Sequence, residues 1–444
     1  MFKKLKRSAE GAGVPHEKIT ATMETVQMPI SKRLVIPMSM HIGAPAKPVV
    51  KKGDTVMVGT LIGEAGGFVS ANIYSPASGT VAEVGTIRMP NGAAAATVVI
   101  DTDGEQKVDP SVKPPVVNDH DSLIQAVKDC GLVGLGGAGF PTHVKLCPAT
   151  PVDTLVINGA ECEPFLTPDT REFLECTDTV ISGIEAVMKY CSIPNCIIGI
   201  ETNKPECIKL MEERTSGMAG VSVKPLPSRY PQGAEKNLVE TCTGREVPKT
   251  VPGERPRAGL PADVGCVVMN VTSVSTLGKF LKTGMPLVTK RVTVDGDACA
   301  KPMNVEVAIG TPYQDIIDFA GGIKEGKELG KVIYGGPMMG GCVSDTSFPL
   351  LKQNNGLLLF SREAAAIPEP QACIRCGRCI NGCPMGLAPV QIAEAYKNKD
   401  VEALNKLNLD LCVLCGTCSF VCPAKRPVTQ TMSLAKVLQR TGGK

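Results

Sequence analysis

The chain has 444 residues, 43% of them hydrophobic and 20% charged, a balance that excludes a disordered or fibrous polymer and gives room for several domains. A net charge of +3 is too small to argue for nucleic acid as a partner. Tryptophan is absent and aromatic residues are only 4%, so the core has to rest on Val, Ile, Leu, Ala and Met. Of the 19 cysteines, those outside two motifs near the C-terminus are scattered, a usage that suits a reducing compartment. No charge-free apolar run is long enough to span a bilayer, and no apolar leader opens the chain. A soluble, cytoplasmic protein without a transmembrane segment of its own is expected.

In chain order, residues 1–26 read as an extension, with Lys3-Lys4-Leu5-Lys6-Arg7 a solvated charge run. Residues 27–101 read as short β-branched strands separated by Gly, Pro and Asp turns. Residues 102–119 are a polar, proline-bearing linker. From 120 to 290 helices and strands alternate, which implies a mainly parallel α/β sheet. Asp121 is expected to cap a helix over 122–130, and Leu155-Val156-Ile157, Cys196–Ile200, Val221–Val223 and Gly265–Met269 are the expected strands. Helices are expected from Thr177, near 204–215, over 235–241 and across 273–283. Residues 291–350, with a hairpin at Arg291–Gly296 and a helix at Tyr313–Ala320, fit a small β-grasp module. Residues 351–430 form the cysteine-rich segment, with helices at 388–398 and 401–407, and 431–444 a tail. The fold class is therefore multidomain α/β with small β modules.

Cys373-Ile-Arg-Cys376-Gly-Arg-Cys379-Ile-Asn-Gly-Cys383-Pro384 is followed by Cys412-Val-Leu-Cys415-Gly-Thr-Cys418-Ser-Phe-Val-Cys422-Pro423. Three closely spaced thiolates grip one [4Fe–4S] cluster, and the fourth, displaced by three residues and stopped by proline, reaches the other. The expected sets are Cys373, Cys376, Cys379 and Cys422 for one cluster, and Cys383, Cys412, Cys415 and Cys418 for its neighbour. Disulfides would leave the repeated spacing and both prolines unexplained. Zinc sites use paired C-x2-C knuckles rather than four cysteines per run.

Gly131-Leu-Val-Gly134-Leu-Gly136-Gly137-Ala-Gly139-Phe140-Pro141-Thr142 is the second signal. A helix rather than a strand precedes it, unlike the ordinary dinucleotide fingerprint. Residues without side chains still let backbone N–H groups approach phosphate oxygens, and Pro141 and Thr142 are placed to open a helix facing the phosphate.

Three resemblances add to this reading. Val49–Val56, Gly59–Glu64 and Ser75–Val81 resemble a biotinyl/lipoyl-type barrel-sandwich hybrid. Ala65–Asn72, where carriers present a modifiable lysine, has none, so a structural or docking barrel is expected. Gly134–Lys145, Asn158-Gly-Ala-Glu161-Cys-Glu163-Pro164, Tyr230-Pro-Gln-Gly233-Ala-Glu235 and Asn270-Val271 resemble the NADH-binding flavoprotein of respiratory complex I. This resemblance implies a Rossmann-like domain holding FMN and NAD(H). Gly134, Gly136, Gly137 and Gly139 would line the phosphate and nucleotide, Lys145 and Asn158 would contact the flavin, Phe140 would sit near the adenine or nicotinamide, and Glu163 would face the nicotinamide; Phe140 and Glu163 are the expected catalytic residues. Glu161, Tyr230, Gly233, Glu235 and Asn270 would complete the cofactor site. Val133 and Leu135 stand where that family often carries arginines, and Ala234-Glu235 shortens its Gly-Glu-Glu motif.

The order of barrel, flavin-type domain, SLBB-type β-grasp and two ferredoxin-like clusters, with Ile42–Val50 and Ala65–Ser70, resembles the RnfC component of the Rnf complex. That family implies a NAD(H)-binding electron-transfer component of a membrane-bound ferredoxin:NAD+ oxidoreductase that couples electron flow to Na+ or H+ translocation. Its partners would be membrane and peripheral components, including a ferredoxin-like one, and its place the inner face of the cell membrane. The alternative is a soluble flavin/Fe–S reductase feeding another acceptor, such as a cobalamin or amino-acid reductase.

Overall fold

The structure is a computed structural model that describes residues 11–90, 92–251 and 257–442. The basic run Lys3–Arg7 lies outside them. The N-terminal barrel is made of two antiparallel sheets. Arg33–Pro37, Ala94–Thr102, Gly79–Arg88 and Thr55–Val56 form one, and Lys47–Pro48, Leu61–Glu64 and Ile73–Tyr74 the other. Alternate side chains point inward, so Leu34, Ile36, Ile62, Ile73, Val81, Val98 and Ile100 are buried. Their core is continuous with that of the following domain, which makes the barrel a packed platform and not a swinging arm.

The α/β domain holds a four-stranded parallel sheet in the order Val221–Leu226, Asn195–Glu201, Thr154–Gly159, Cys266–Asn270. Thr154–Gly159 reads as an apolar run because both faces are covered by helices. The chain steps outward from this strand twice in one direction and then returns to its other side. A crevice therefore opens beyond the carboxyl ends of Thr154–Gly159 and Cys266–Asn270, where α/β sheets bind ligands. The helix His120–Asp129 is capped by Asp119, not Asp121: Asp119 Oδ1 accepts from the Ser122 amide at 2.9 Å in a capping box. An additional helix, Pro168–Glu175, starts with proline in its first turn.

The third sheet corrects the expected module boundaries. Its six strands include Gly356–Ser361, inserted between Thr289–Asp295 and Leu329–Tyr334. The β-grasp unit therefore runs past residue 350, and the cysteine segment starts after Ser361 and not at 351. Gly356–Ser361 is buried on both faces, so its apolar run belongs inside a sheet. The extension is also more than an appendage. Thr25–Gln27 pairs in parallel with Asn304–Glu306, and Ala12 exchanges backbone hydrogen bonds with Tyr230 at 2.7 and 3.0 Å. Lys18 Nζ donates to the Glu163 carbonyl at 2.9 Å.

The C-terminal segment has its own small core of Met385, Leu387, Ile392, Leu404, Leu409, Leu411, Val428 and Met432. The expected tail is corrected too. Val428–Arg440 is a 13-residue helix that packs Met432 and Ala435 inward against Pro389–Lys397. Among the described residues no helix is long and apolar enough to cross a membrane.

Candidate flavin and iron–sulfur sites

The glycine loop closes on itself: the Gly134 amide donates to the Phe140 carbonyl at 2.8 Å and the Thr142 amide to the Leu132 carbonyl at 3.1 Å. This leaves Gly136, Gly137 and Ala138 exposed at its tip. Gly139 adopts φ +69°, and its carbonyl accepts from the Ile42 amide of the barrel at 3.1 Å. The His143 ring meets the Phe68 carbonyl at 3.0 Å, so the lysine-free hairpin of the barrel buttresses the loop. Thr142–Lys145 is a single helical turn, shorter than the phosphate-facing helix expected from Pro141 and Thr142.

The loop ends at the crevice. A Cβ on Gly136 would lie 2.6 Å from Asn270 Nδ2, and one on Gly233 would lie 2.5 Å from the Ala160 carbonyl oxygen. Asn158 Nδ2 donates to the Gly233 carbonyl at 3.0 Å. Lys145 Nζ donates to Glu235 Oε1 at 2.8 Å and to the Val268 carbonyl at 3.0 Å. Asn270 caps the helix Val271–Thr283 through its Oδ1 and donates from Nδ2 to Asp169 at 2.8 Å. Gly136, Lys145, Asn158, Gly233, Glu235 and Asn270 are thus gathered at the carboxyl end of the sheet. The paired glycines of the tip, one cation and two carboxamides fit a flavin phosphate and ring.

Three expected site residues have other partners. Glu161 is buried; it accepts from the Asp169 amide at 2.7 Å and from Thr170 Oγ1 at 2.8 Å, covering the start of Pro168–Glu175. Burial pushes its carboxyl up to about 7, with nearby Lys18 and Lys204 opposing. Both of its oxygens thus serve the helix start. Glu163 accepts from the Met338 and Met339 amides at 3.0 and 2.9 Å, on the glycine-rich turn of the β-grasp sheet. Burial raises its carboxyl, and those amides oppose the rise. Tyr230 donates to the carbonyl of Cys415 at 2.7 Å. Phe140 is half-buried at the end of the loop.

Two cavities hold the eight motif cysteines. One, of about 550 Å³, is lined by Cys373, Cys376, Cys379 and Cys422, with Arg375, Arg378, Lys397, Arg426 and Glu394 around it. The other is smaller and is lined by Cys383, Cys412, Cys415 and Cys418. Each set takes three thiols from one run and the fourth from the other. Around the smaller cavity, the Leu387 amide donates to Cys383 Sγ at 3.4 Å and Thr429 Oγ1 lies 3.4 Å from Cys418 Sγ. Among the described residues no group of His, Cys, Asp or Glu is arranged for a single metal ion, whereas a cube takes its four thiolates from farther apart. The donor sets fit two [4Fe–4S] clusters.

Sequence reasoning missed Lys352, which is fully buried and donates to the carbonyls of Asn72 and Gly131 at 2.6 and 2.7 Å. It thereby bolts the β-grasp unit to the barrel and to the start of the glycine loop. Nothing in the flanking sequence marks it.

A flavin-type α/β domain joined to paired four-cysteine cavities defines an iron–sulfur electron-transfer protein. Family models match along the whole order: the RnfC barrel sandwich hybrid domain at residues 6–105, the Nuo51 FMN-binding domain at 127–279, the SLBB domain at 291–340 and the 4Fe–4S dicluster domain at 372–425. The chain is 41% identical over 435 residues to the C component of the proton-translocating ferredoxin:NAD(+) oxidoreductase complex of Clostridium ljungdahlii, covering 96% of this chain and 92% of the relative. It is 43% identical over 366 residues to the Na(+)-translocating counterpart of Acetobacterium woodii, with 81% and 80% covered. Identity to the C component of the ion-translocating oxidoreductase complex of Rhodobacter capsulatus is 37%, over 95% of this chain and 80% of the relative. An NAD+-reducing [NiFe]-hydrogenase structure in the air-oxidized state shares the fold at TM-score 0.50 and 19% identity, over 72% of this chain and 63% of its own. The chain belongs to the RnfC family, the C components of the ion-translocating ferredoxin:NAD+ oxidoreductase, or Rnf, complexes.

Proposed function

We propose that this chain is the NAD(H)-side electron-transfer component of a ferredoxin:NAD+ oxidoreductase complex that couples electron flow to ion translocation. FMN, when bound, exchanges a hydride with NAD(H) and releases electrons singly, and each cluster carries one electron at a time. The chain's own residues supply binding and order. The exposed amides of Gly136 and Gly137 receive phosphate. Lys145, held by Glu235 and the Val268 carbonyl, places a cation at the flavin, and Asn158 and Asn270 flank it. Phe140 packs at the nicotinamide, and Glu163, tethered by two amides, orients it. The two cysteine sets hold the clusters as the spacing predicts. Attachment to the inner face of the cell membrane through integral and ferredoxin-like partners completes the reading.

The observation that carries this proposal is the direct contact between the flavin-type domain and a cluster ligand, Tyr230 to Cys415. The test is anaerobic purification with the rest of the complex retained, followed by NADH addition. Bleaching of flavin and cluster absorbance together, in material that co-purifies with integral membrane proteins, is expected. A chain that carries no flavin, or purifies alone and stays coloured with NADH, refutes the proposal.

A further inference from the structure

The structure points to a job for Tyr230 other than nucleotide contact. Its side chain is buried, and its hydroxyl donates to the Cys415 carbonyl oxygen at 2.7 Å. The backbone of Tyr230 is pinned from the other side by Ala12, through hydrogen bonds in both directions. Ala12, Val14, Tyr230 and Cys415 form one small buried cluster. Three residues further along, the Gly233 carbonyl receives Asn158, and two beyond that Glu235 receives Lys145. One short segment, 230–235, therefore touches the proposed flavin site at one end and a cluster ligand at the other.

The surroundings of the contact are asymmetric. Glu163 Oε1 lies 3.4 Å from the Tyr230 hydroxyl, and its carboxylate is fixed by the Met338 and Met339 amides. The Cys415–Gly416 loop presses on the same turn, since a Cβ on Gly416 would lie 2.7 Å from the Met338 carbonyl oxygen. Cluster potentials respond to net charge, hydrogen bonds and solvent exposure, and contacts behind the ligands orient them. The phenol presents the positive end of an O–H dipole to the ligand loop, in a site where little water screens it.

We propose that Tyr230 is a positioning residue for the Cys383/Cys412/Cys415/Cys418 cluster. Its hydroxyl clamps the Cys415 loop against residues 230–235 and raises that cluster's reduction potential, while the Glu163 carboxylate lowers it. This rests on the two-cluster reading above and gives the clusters an order: the Cys415 cluster stands next to the flavin and the Cys373/Cys376 cluster is the outlet.

The experiment is an EPR-monitored redox titration of the full chain with both clusters in place, comparing wild type, Tyr230→Phe and Glu163→Gln. With Tyr230→Phe, one of two reduction steps moves to lower potential while the other stays. With Glu163→Gln, the same step moves upward. Iron content is measured alongside. If both variants leave both steps in place, or move them together, the inference is overturned and the two-cluster reading stands. If wild type shows no pair of clusters, that reading itself falls. Should Tyr230→Phe fail to assemble both clusters, the sign and selectivity of Glu163→Gln decide alone.

Discussion

The two cysteine runs share one spacing and occupy opposite environments. Cys373 and Cys376 are exposed, beside Ile374 at 68% exposure, while Cys415 is 8% exposed. The first run follows an irregular segment after Ser361 on which little packs. The second is roofed by Tyr230 and by the turn carrying Met338. Spacing fixes which thiols share a cluster, and neighbouring domains decide what the cluster is for. The roofed one suits an internal station, and the open one, rimmed by Arg375, Arg378, Lys397 and Arg426, suits delivery to another protein.

The largest expected effects come from the ligands. Cys376→Ser and Cys415→Ser should each remove about half of the cluster iron, since each set of four holds one cube. Iron analysis checks this, and full retention in either variant would break the ligand sets. Next is the input side. Gly136→Ala drives a methyl group into the Asn270 amide, 2.6 Å away. Flavin affinity should fall by about tenfold, equivalent to ~1.4 kcal/mol, while iron content stays unchanged. A variant that loses flavin and iron alike would mean that the glycine loop and the cysteine cavities are one folding unit.

Exposure itself is tested by attack from solvent. Under air or a chelator, cluster loss should be biphasic, with the Cys373/Cys376 cluster first. A single phase would erase the distinction between the two cavities. The smallest effect concerns Lys352, at the junction of the β-grasp unit, the barrel and the glycine loop. Burial pushes the Lys352 ammonium down to about 7 from 10.5. Unfolding then takes up a proton between those two values, so stability rises with pH across that window and is lowest below it. Calorimetry should show a melting temperature a few degrees higher at the upper end of the window, and Lys352→Met should flatten the dependence.

Much of this was legible in the sequence because it rests on local chemistry. The cysteine spacing grouped the eight thiols as the two cavities do, and the strands at 154–159, 195–201, 221–226 and 266–270 are short apolar runs between turn signals. The misses are mostly long-range. Gly356–Ser361 is an apolar run like the others, and only its insertion between two distant strands shows that it belongs to the β-grasp sheet. Asp121 and Asp119 are both plausible caps, and the capping box with Ser122 decides for Asp119. Glu161 and Glu163 sit two residues apart in one motif, yet one covers a helix start and the other binds a turn from another domain. Lys18 and Ala12 lie in an extension with no internal pattern, because their partners are carbonyls and amides elsewhere in the chain.

Electrons should pass between the flavin side and the open cluster by way of the roofed one. Single-turnover freeze-quench EPR after anaerobic mixing with NADH tests this route most directly in the two cysteine variants. In Cys376→Ser the remaining roofed cluster should still become reduced. In Cys415→Ser the remaining open cluster should stay oxidised on the same timescale. Rapid reduction of the open cluster in Cys415→Ser would contradict the proposed order.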